Sequence, residues 1–185
     1  MNLAKSIHET AMEYSFYAKM AKAKGKLIEE KKAYVIAFFL EKNAILNVQE
    51  EDLKSKFILM RSAAALAYHA GLYEESKELI TKCRAANPPA YILTELAEIE
   101  LLVQAAKKTD TVQERLQLEG VLTDVNTKEH EITLNNTANQ QVFSIFIPPA
   151  LLREIVQGYW TKKVQIQARV TVQGLIVLEK IRVAA

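Results

Sequence analysis

The chain has 185 residues, 50% hydrophobic and 25% charged, with 24 Lys and Arg against 22 Asp and Glu. That composition excludes a disordered chain, and a formal charge of +2 excludes a histone-like nucleic-acid binder. The one cysteine, Cys83, excludes an internal disulfide and argues against a cysteine-rich zinc site.

Polar residues interrupt the stretch Met1 to Thr10 every few positions, so it lacks the apolar core of a secretory signal. The longest apolar run, Ala33 to Leu40, falls far short of the roughly 20 residues that span a bilayer. The expectation is a soluble, cytoplasmic protein without a membrane segment.

In the first part of the chain the apolar residues recur at helical spacing. Leu3, Ile7, Ala11, Tyr14, Ala18 and Ala21 step by three or four and share one helix face, and Gly25 ends the pattern. A second helix is predicted from Leu27 to Val48. Its centre, Tyr34 to Leu40, is apolar on every side and so requires neighbours all round. A third runs from Leu53 to Ala70, with Gly71 as a left-handed cap. A fourth spans Tyr73 to Ala86, stopped by Asn87-Pro88-Pro89. The fifth, over residues 89–107, carries the stripe Ile92, Leu96, Ile99 and Val103. Short connections between five helices imply antiparallel hairpins.

The polar junction Lys107 to Thr111 separates this part from one in which β-branched residues alternate with polar ones. Strands are predicted at Arg115 to Val125, around Ile132 and Leu134, and at Gln141 to Ile147. Gly120 is placed to permit a bend or bulge. A short helix follows Pro148-Pro149, from Ala150 to Val156. Val164, Ile166, Ala168, Val170 and Val172 alternate with polar residues, and Gln173-Gly174 turns into a last strand, Leu175 to Val183. The expected domains are 1–108, helical, and 112–185, a small β-barrel; the fold class is α+β. A sheet of about 70 residues buries one face by curling up.

Residues 57–88 resemble a tetratricopeptide repeat. The matching residues are Ala64 in the first helix, Gly71 and Tyr73 at the turn, Ser76 and Cys83 at small positions, Ile80 at the large apolar position and Pro88 at the end. Residues 11–48 look similar more loosely, through Ala18, Gly25, Leu27, Tyr34 and Ala37, although Glu30 stands where a small residue is expected. The turn glycines lie 46 residues apart, against a period of about 34, so the match is repeat-like rather than a regular array. By element order alone, with a helix between the third and fourth strands, the C-terminal part looks like an OB-fold, with an SH3-like barrel as competitor.

No nucleophile elbow, phosphate loop or dinucleotide fingerprint is present. His8, His69 and His130 are scattered without ligand spacing. His69 reads as a helix C-terminal residue favourable to the dipole, and His130 as an edge-strand residue. The expectation is a non-enzyme with no catalytic residue, metal or cofactor. In the repeat resemblance the first helix of each hairpin lines a groove, which places Ile58, Arg61, Ala65 and Tyr68 there with Met12, Ser15, Lys19 and Lys22. Lys19, Lys22 and Arg61 would hold carboxylates of a protein or peptide partner, with Tyr68 as anchor. The competing reading makes these solvated charges and packs Tyr68 on the fifth helix. An open hairpin stack also leaves an apolar end for self-association into a homo-oligomer. The alternative function is single-stranded nucleic-acid binding by the barrel through Tyr159, Trp160, Lys162, Lys163 and Arg169, with Arg182 nearby. Residues 112–185 carry eight basic and seven acidic residues, a weak charge for that role.

Overall fold

The computed structural model describes residues 3–109, 115–170 and 174–184. The chain divides into two compact units, residues 1–111 and 112–185. The described residues form six helices and a five-stranded sheet. No helix among them is long and apolar enough to cross a membrane.

Unit 1 contains α1 (Leu3–Ala23), α2 (Leu27–Leu46), α3 (Leu53–Ala70), α4 (Tyr73–Ala85) and α5 (Ala90–Thr109). The buried face of α1 consists of Ala4, Ala11, Ala18 and Ala21. Ala4 takes the buried position expected of Leu3, which stays exposed, and Ile7 and Tyr14 of the expected stripe are half-buried; a methyl group suits a close helix contact better than a longer side chain. The six residues Ala33 to Phe38 of α2 are all buried, as a helix apolar on every side requires.

Both ends of α3 are capped by local chemistry. The Asp52 carboxylate accepts the Ser55 amide at 3.1 Å, and Gly71 takes the left-handed conformation at φ 79°. The Leu72 amide then donates back to the Ala67 carbonyl at 2.8 Å, and the Leu72 side chain is buried. The Ser76 hydroxyl donates to the Ala64 carbonyl at 2.8 Å, which fastens α4 to α3 without a buried unpaired group. Ile92, Leu96, Ile99 and Val103 of α5 close this core over Phe57, Ala64, Ile80 and Cys83.

Unit 2 contains β1 (Arg115–Asn126), β2 (Glu131–Asn136), β3 (Val142–Phe146), α6 (Pro149–Tyr159), β4 (Lys163–Val170) and β5 (Ile176–Val183). The pairing runs β1-β2-β3-β5-β4 and returns from β4 to β1. All neighbours are antiparallel except β3 and β5, which run parallel and pair at Phe146 and Val177. Leu118, Leu122, Ile132, Leu134, Ile145, Val164 and Ile166 fill the interior, with Ile155 of α6 buried among them. Helix α6 begins one residue before the expected Ala150, because Pro149 is well suited to a first turn whose amides lack helical partners, and runs past the expected Val156 to Tyr159. The expected strand continuation Thr171 to Gln173 and the junction residues Asp110 and Thr111 lie outside the described residues.

Two sequence expectations are corrected here. The register of β1 shifts between Leu122 and Asp124, two residues beyond Gly120. Gly120 serves a close approach instead: a Cβ there would lie 2.1 Å from the Asn135 carbonyl oxygen on β2. His130 is not a strand residue. It sits in the turn before β2 at φ 53°, with its ring beside Phe146.

Replacing Gly120 by Ala is expected to destabilise unit 2 by about 1–3 kcal/mol, because the overlap is with backbone. Gly158 of α6 has open space around its missing Cβ, so Gly158→Ala is expected to stabilise by about 0.5–1 kcal/mol. Urea unfolding followed through the fluorescence of Trp160 measures both, and equal stability of Gly120→Ala and the parent removes the close approach as the reason for glycine.

Candidate functional site

The side chains expected to line the helical groove do not act as one set. Arg61 Nε lies 2.8 Å from Glu95 Oε2, so this cation is committed to α5. Tyr68 is half-buried and packs against the core that α3 shares with α4 and α5. Its ring also lies 5.1 Å from that of His69 and 6.1 Å from that of Tyr73.

Lys19 and Lys22, a turn apart on α1, instead join residues that sequence spacing did not connect. The His69 ring stacks on Tyr34 of α2 at 5.0 Å and 21°. Lys31 of α2 donates to the His69 carbonyl at 2.6 Å. Lys22 Nζ lies 3.8 Å from the carboxylate of Glu30, which is buried. Partial desolvation, and then the charges of Lys31, Lys22 and Lys19, push the His69 pKa below its ordinary 6.5. Burial, and then the charge of Glu30, push the Tyr34 phenol up from its ordinary value. His69 therefore does not serve the α3 dipole as an added charge. The Lys31 ammonium, bonded to a carbonyl of the last turn, takes that part.

The result is a cationic patch with aromatic planes. Lys19 and Lys22 come from α1, Lys31 and Tyr34 from α2, and His69 and Tyr68 from α3. Ammonium groups of this kind attract carboxylates or other oxyanions; Tyr34 is buried beneath them, and the half-buried Tyr68 ring offers packing surface next to them. The signal in the sequence was weak, because Lys31 and His69 lie 38 positions apart and neither belongs to a motif.

In unit 2 the five nucleic-acid candidates take different places. Tyr159 is half-buried against the interior. Trp160 follows α6 and is 38% exposed. Lys162 donates to the Gly158 carbonyl at 2.7 Å and remains exposed. Lys163 pairs with Glu119 at 2.5 Å. Arg169 is buried, 3.7 Å from Glu179. Arg182 Nε donates to Gln165 Oε1, and Gln165 Nε2 donates to Glu119, both at 2.9 Å. Lys163 and Gln165 hold the Glu119 carboxyl below its usual range. A groove of about 550 Å³ over β1, β4 and β5 is lined in part by this bonded set, Glu119, Gln165 and Arg182, with Lys180 and Ile181 beside it.

Among the described residues no group of three or more His, Cys, Asp or Glu is placed to hold a metal ion. No family model, curated protein or solved structure matches the chain.

His69 is expected to titrate below 6.5 in a histidine NMR titration, and Lys31→Gln to move it upward by removing the charge with the largest effect of the three. A folded-state pKa below the unfolded one makes folding favourable above about 6.5 and costs stability as pH falls through the depressed value. His130, also depressed by burial, adds in the same direction, while Asp52, Glu78 and Glu119 act only below their ordinary 3.8 to 4.5. Thermal midpoints are therefore expected to fall between pH 7.5 and 5; a flat profile there, or a His69 pKa at or above 6.5, contradicts the electrostatics of the patch.

Proposed function

We propose that this chain is a non-enzymatic interaction protein whose helical unit binds an acidic segment of a protein partner in the cytoplasm. The observation that carries the reading is the Lys31 ammonium on the His69 carbonyl, beside a His69 imidazole stacked on Tyr34 and next to Tyr68, with the charges of Lys22 and Lys19 acting on the same imidazole. Ser76 on the Ala64 carbonyl and the left-handed Gly71 support a tetratricopeptide-like character for the α3–α4 hairpin, with α1–α2 as a looser unit. In such units the first helices line the binding face, and α1 and α3 carry four of the six patch residues.

The test is fluorescence anisotropy of a labelled glutamate-rich peptide, with a Gly/Ser peptide of equal length as control. Lys19→Gln combined with Lys22→Gln is expected to weaken binding about fivefold, since each exposed pair contributes modestly, and added salt is expected to weaken it further. Arg61→Gln is expected to change it little, because Glu95 already holds that guanidinium. Equal affinity for both peptides, or for the double variant and the parent, overturns the reading.

A second reading rests on unit 2. The order β1-β2-β3-β5-β4 with α6 between β3 and β4 supports an OB-like barrel, and Trp160 is exposed close in sequence to Lys162. Such barrels bind single strands by stacking bases on aromatic rings. Salt-sensitive quenching of Trp160 by an oligothymidylate is the outcome this reading requires, and unchanged fluorescence at low salt removes it.

A further inference from the structure

A cavity of about 260 Å³ lies in unit 1 between the start of α1, the α2–α3 connection and the first turns of α3. His8 lines it and joins it to a carboxylate that no role in the basic patch explains. Glu41 of α2 is fully buried, and His8 Nδ1 lies 3.0 and 2.8 Å from its two oxygens. Among the described residues no other group bonds this carboxylate. A carboxylate only accepts, so Nδ1 is the donor, and the imidazole is fixed with Nε2 making no bond among the described residues. A histidine oriented in this way presents its second nitrogen to a ligand, and the His8 side chain is 32% exposed.

The other polar groups of the cavity separate by charge. Lys5, one turn before His8, adds an ammonium on the α1 side. Asp52, at the start of α3, supplies a carboxylate on the other. The Ser55 hydroxyl and amide bond Asp52 and hold its carboxyl below the ordinary value, so it is an anion at neutral pH. Val48, Ile58 and Leu59 give apolar wall between them. The volume lies just under the roughly 300–1,000 Å³ of drug-sized sites, too small for a nucleotide cofactor.

We propose that this cavity binds a small zwitterion, an α-amino acid with an aliphatic side chain. Its carboxylate takes the Lys5 ammonium and the Nε2–H of His8, which binds as the imidazolium with Nδ1–H on Glu41, its ammonium takes Asp52, and its side chain lies on Val48, Ile58 and Leu59. This site shares no side chain with the basic patch, so either proposal stands if the other fails.

Isothermal titration of the full chain with leucine and valine tests it. The controls are 4-methylpentanoate, which is leucine without its amine, and isopentylamine, which is leucine without its carboxylate. Leucine or valine is expected to bind about tenfold more tightly than either control, since each lost charged hydrogen bond costs about that factor. Asp52→Asn keeps an N-cap of equal quality while removing the charge, and His8→Gln keeps a donor for Glu41. Each is expected to weaken leucine binding about tenfold. Should His8→Gln fail to fold, imidazole NMR of the parent decides: the ligand must shift the His8 signals and leave those of His69 in place. Absence of both heat and a His8 shift at millimolar amino acid overturns the proposal. So does unchanged affinity in Asp52→Asn, or equal binding of leucine and 4-methylpentanoate, either of which makes the ligand a simple carboxylate.

Discussion

Close contact along the alanine face of α1 is the constraint from which the rest of the helical unit follows. With Ala4, Ala11, Ala18 and Ala21 against α2, the two backbones approach until there is room for little else. Of the larger apolar residues of α1, Leu3, Phe16, Tyr17 and Met20 lie exposed and Ile7, Met12 and Tyr14 are half-buried, while the alanines are covered. The surrounding volume is filled from α2 itself, whose Tyr34, Val35, Ile36 and Phe38 are buried on successive faces. Polar groups near such a seam are tolerated only with partners. His8 meets Glu41 toward one end, and Lys22 meets Glu30 toward the other, in the crossed order that antiparallel helices impose.

The sheet of unit 2 solves a related problem with backbone instead of side chains. Gly120 lets β1 lie against Asn135 at a separation no Cβ permits, and the register shift after Leu122 follows within two residues. The turns are bonded locally. Asn126 accepts the amides of Lys128 and Glu129, and Asn136 accepts that of Ala138. Outside, charge is neutralised across strands: Glu119 on β1, Gln165 on β4 and Arg182 on β5 form one bonded row. A face so committed internally offers few unpaired cations to a phosphate backbone, and this is why the helical unit carries the leading functional reading.

The fold was legible where one residue type has one physical use. Gly71 ends α3 because only a residue tolerant of positive φ continues there, and the stripe of α5 is buried at every named position. Alternation on β4 was equally plain, since Val164, Ile166 and Ala168 point inward together. Failures came where a residue has several uses. Gly120 was compatible with a bulge or a close approach, and only the position of Asn135 decides between them. Leu3 and Ala4 both fit a stripe, and the choice depends on the width of the gap across from them. The basic patch was half visible: Lys19 and Lys22 are a turn apart in sequence, but His69 and Lys31 reach them only once three helices have packed. His8 and Glu41, 33 residues apart, had no signal at all.

Both candidate sites sit at the ends of the α1–α2 seam, and the seam explains why. Each end holds a buried carboxylate brought in beside packed alanines, and each carboxylate is met by a side-chain nitrogen from α1. A side chain recruited for that purpose is not used up. His8 meets Glu41 with one ring nitrogen and keeps the other, and Lys22 stands 3.8 Å from Glu30 with its side chain still 67% exposed. Replacing either pair by packed apolar residues would serve stability as well or better, because desolvating charges offsets most of their attraction. What such a replacement would remove is the exposed remainder: an imidazole lining a cavity at one end, and a positive surface beside the Tyr68 ring at the other. The buried carboxylates therefore act chiefly as positioning groups. They hold imidazole and ammonium at the surface of a helix whose own core contact, made of methyl groups, has no means of orienting them.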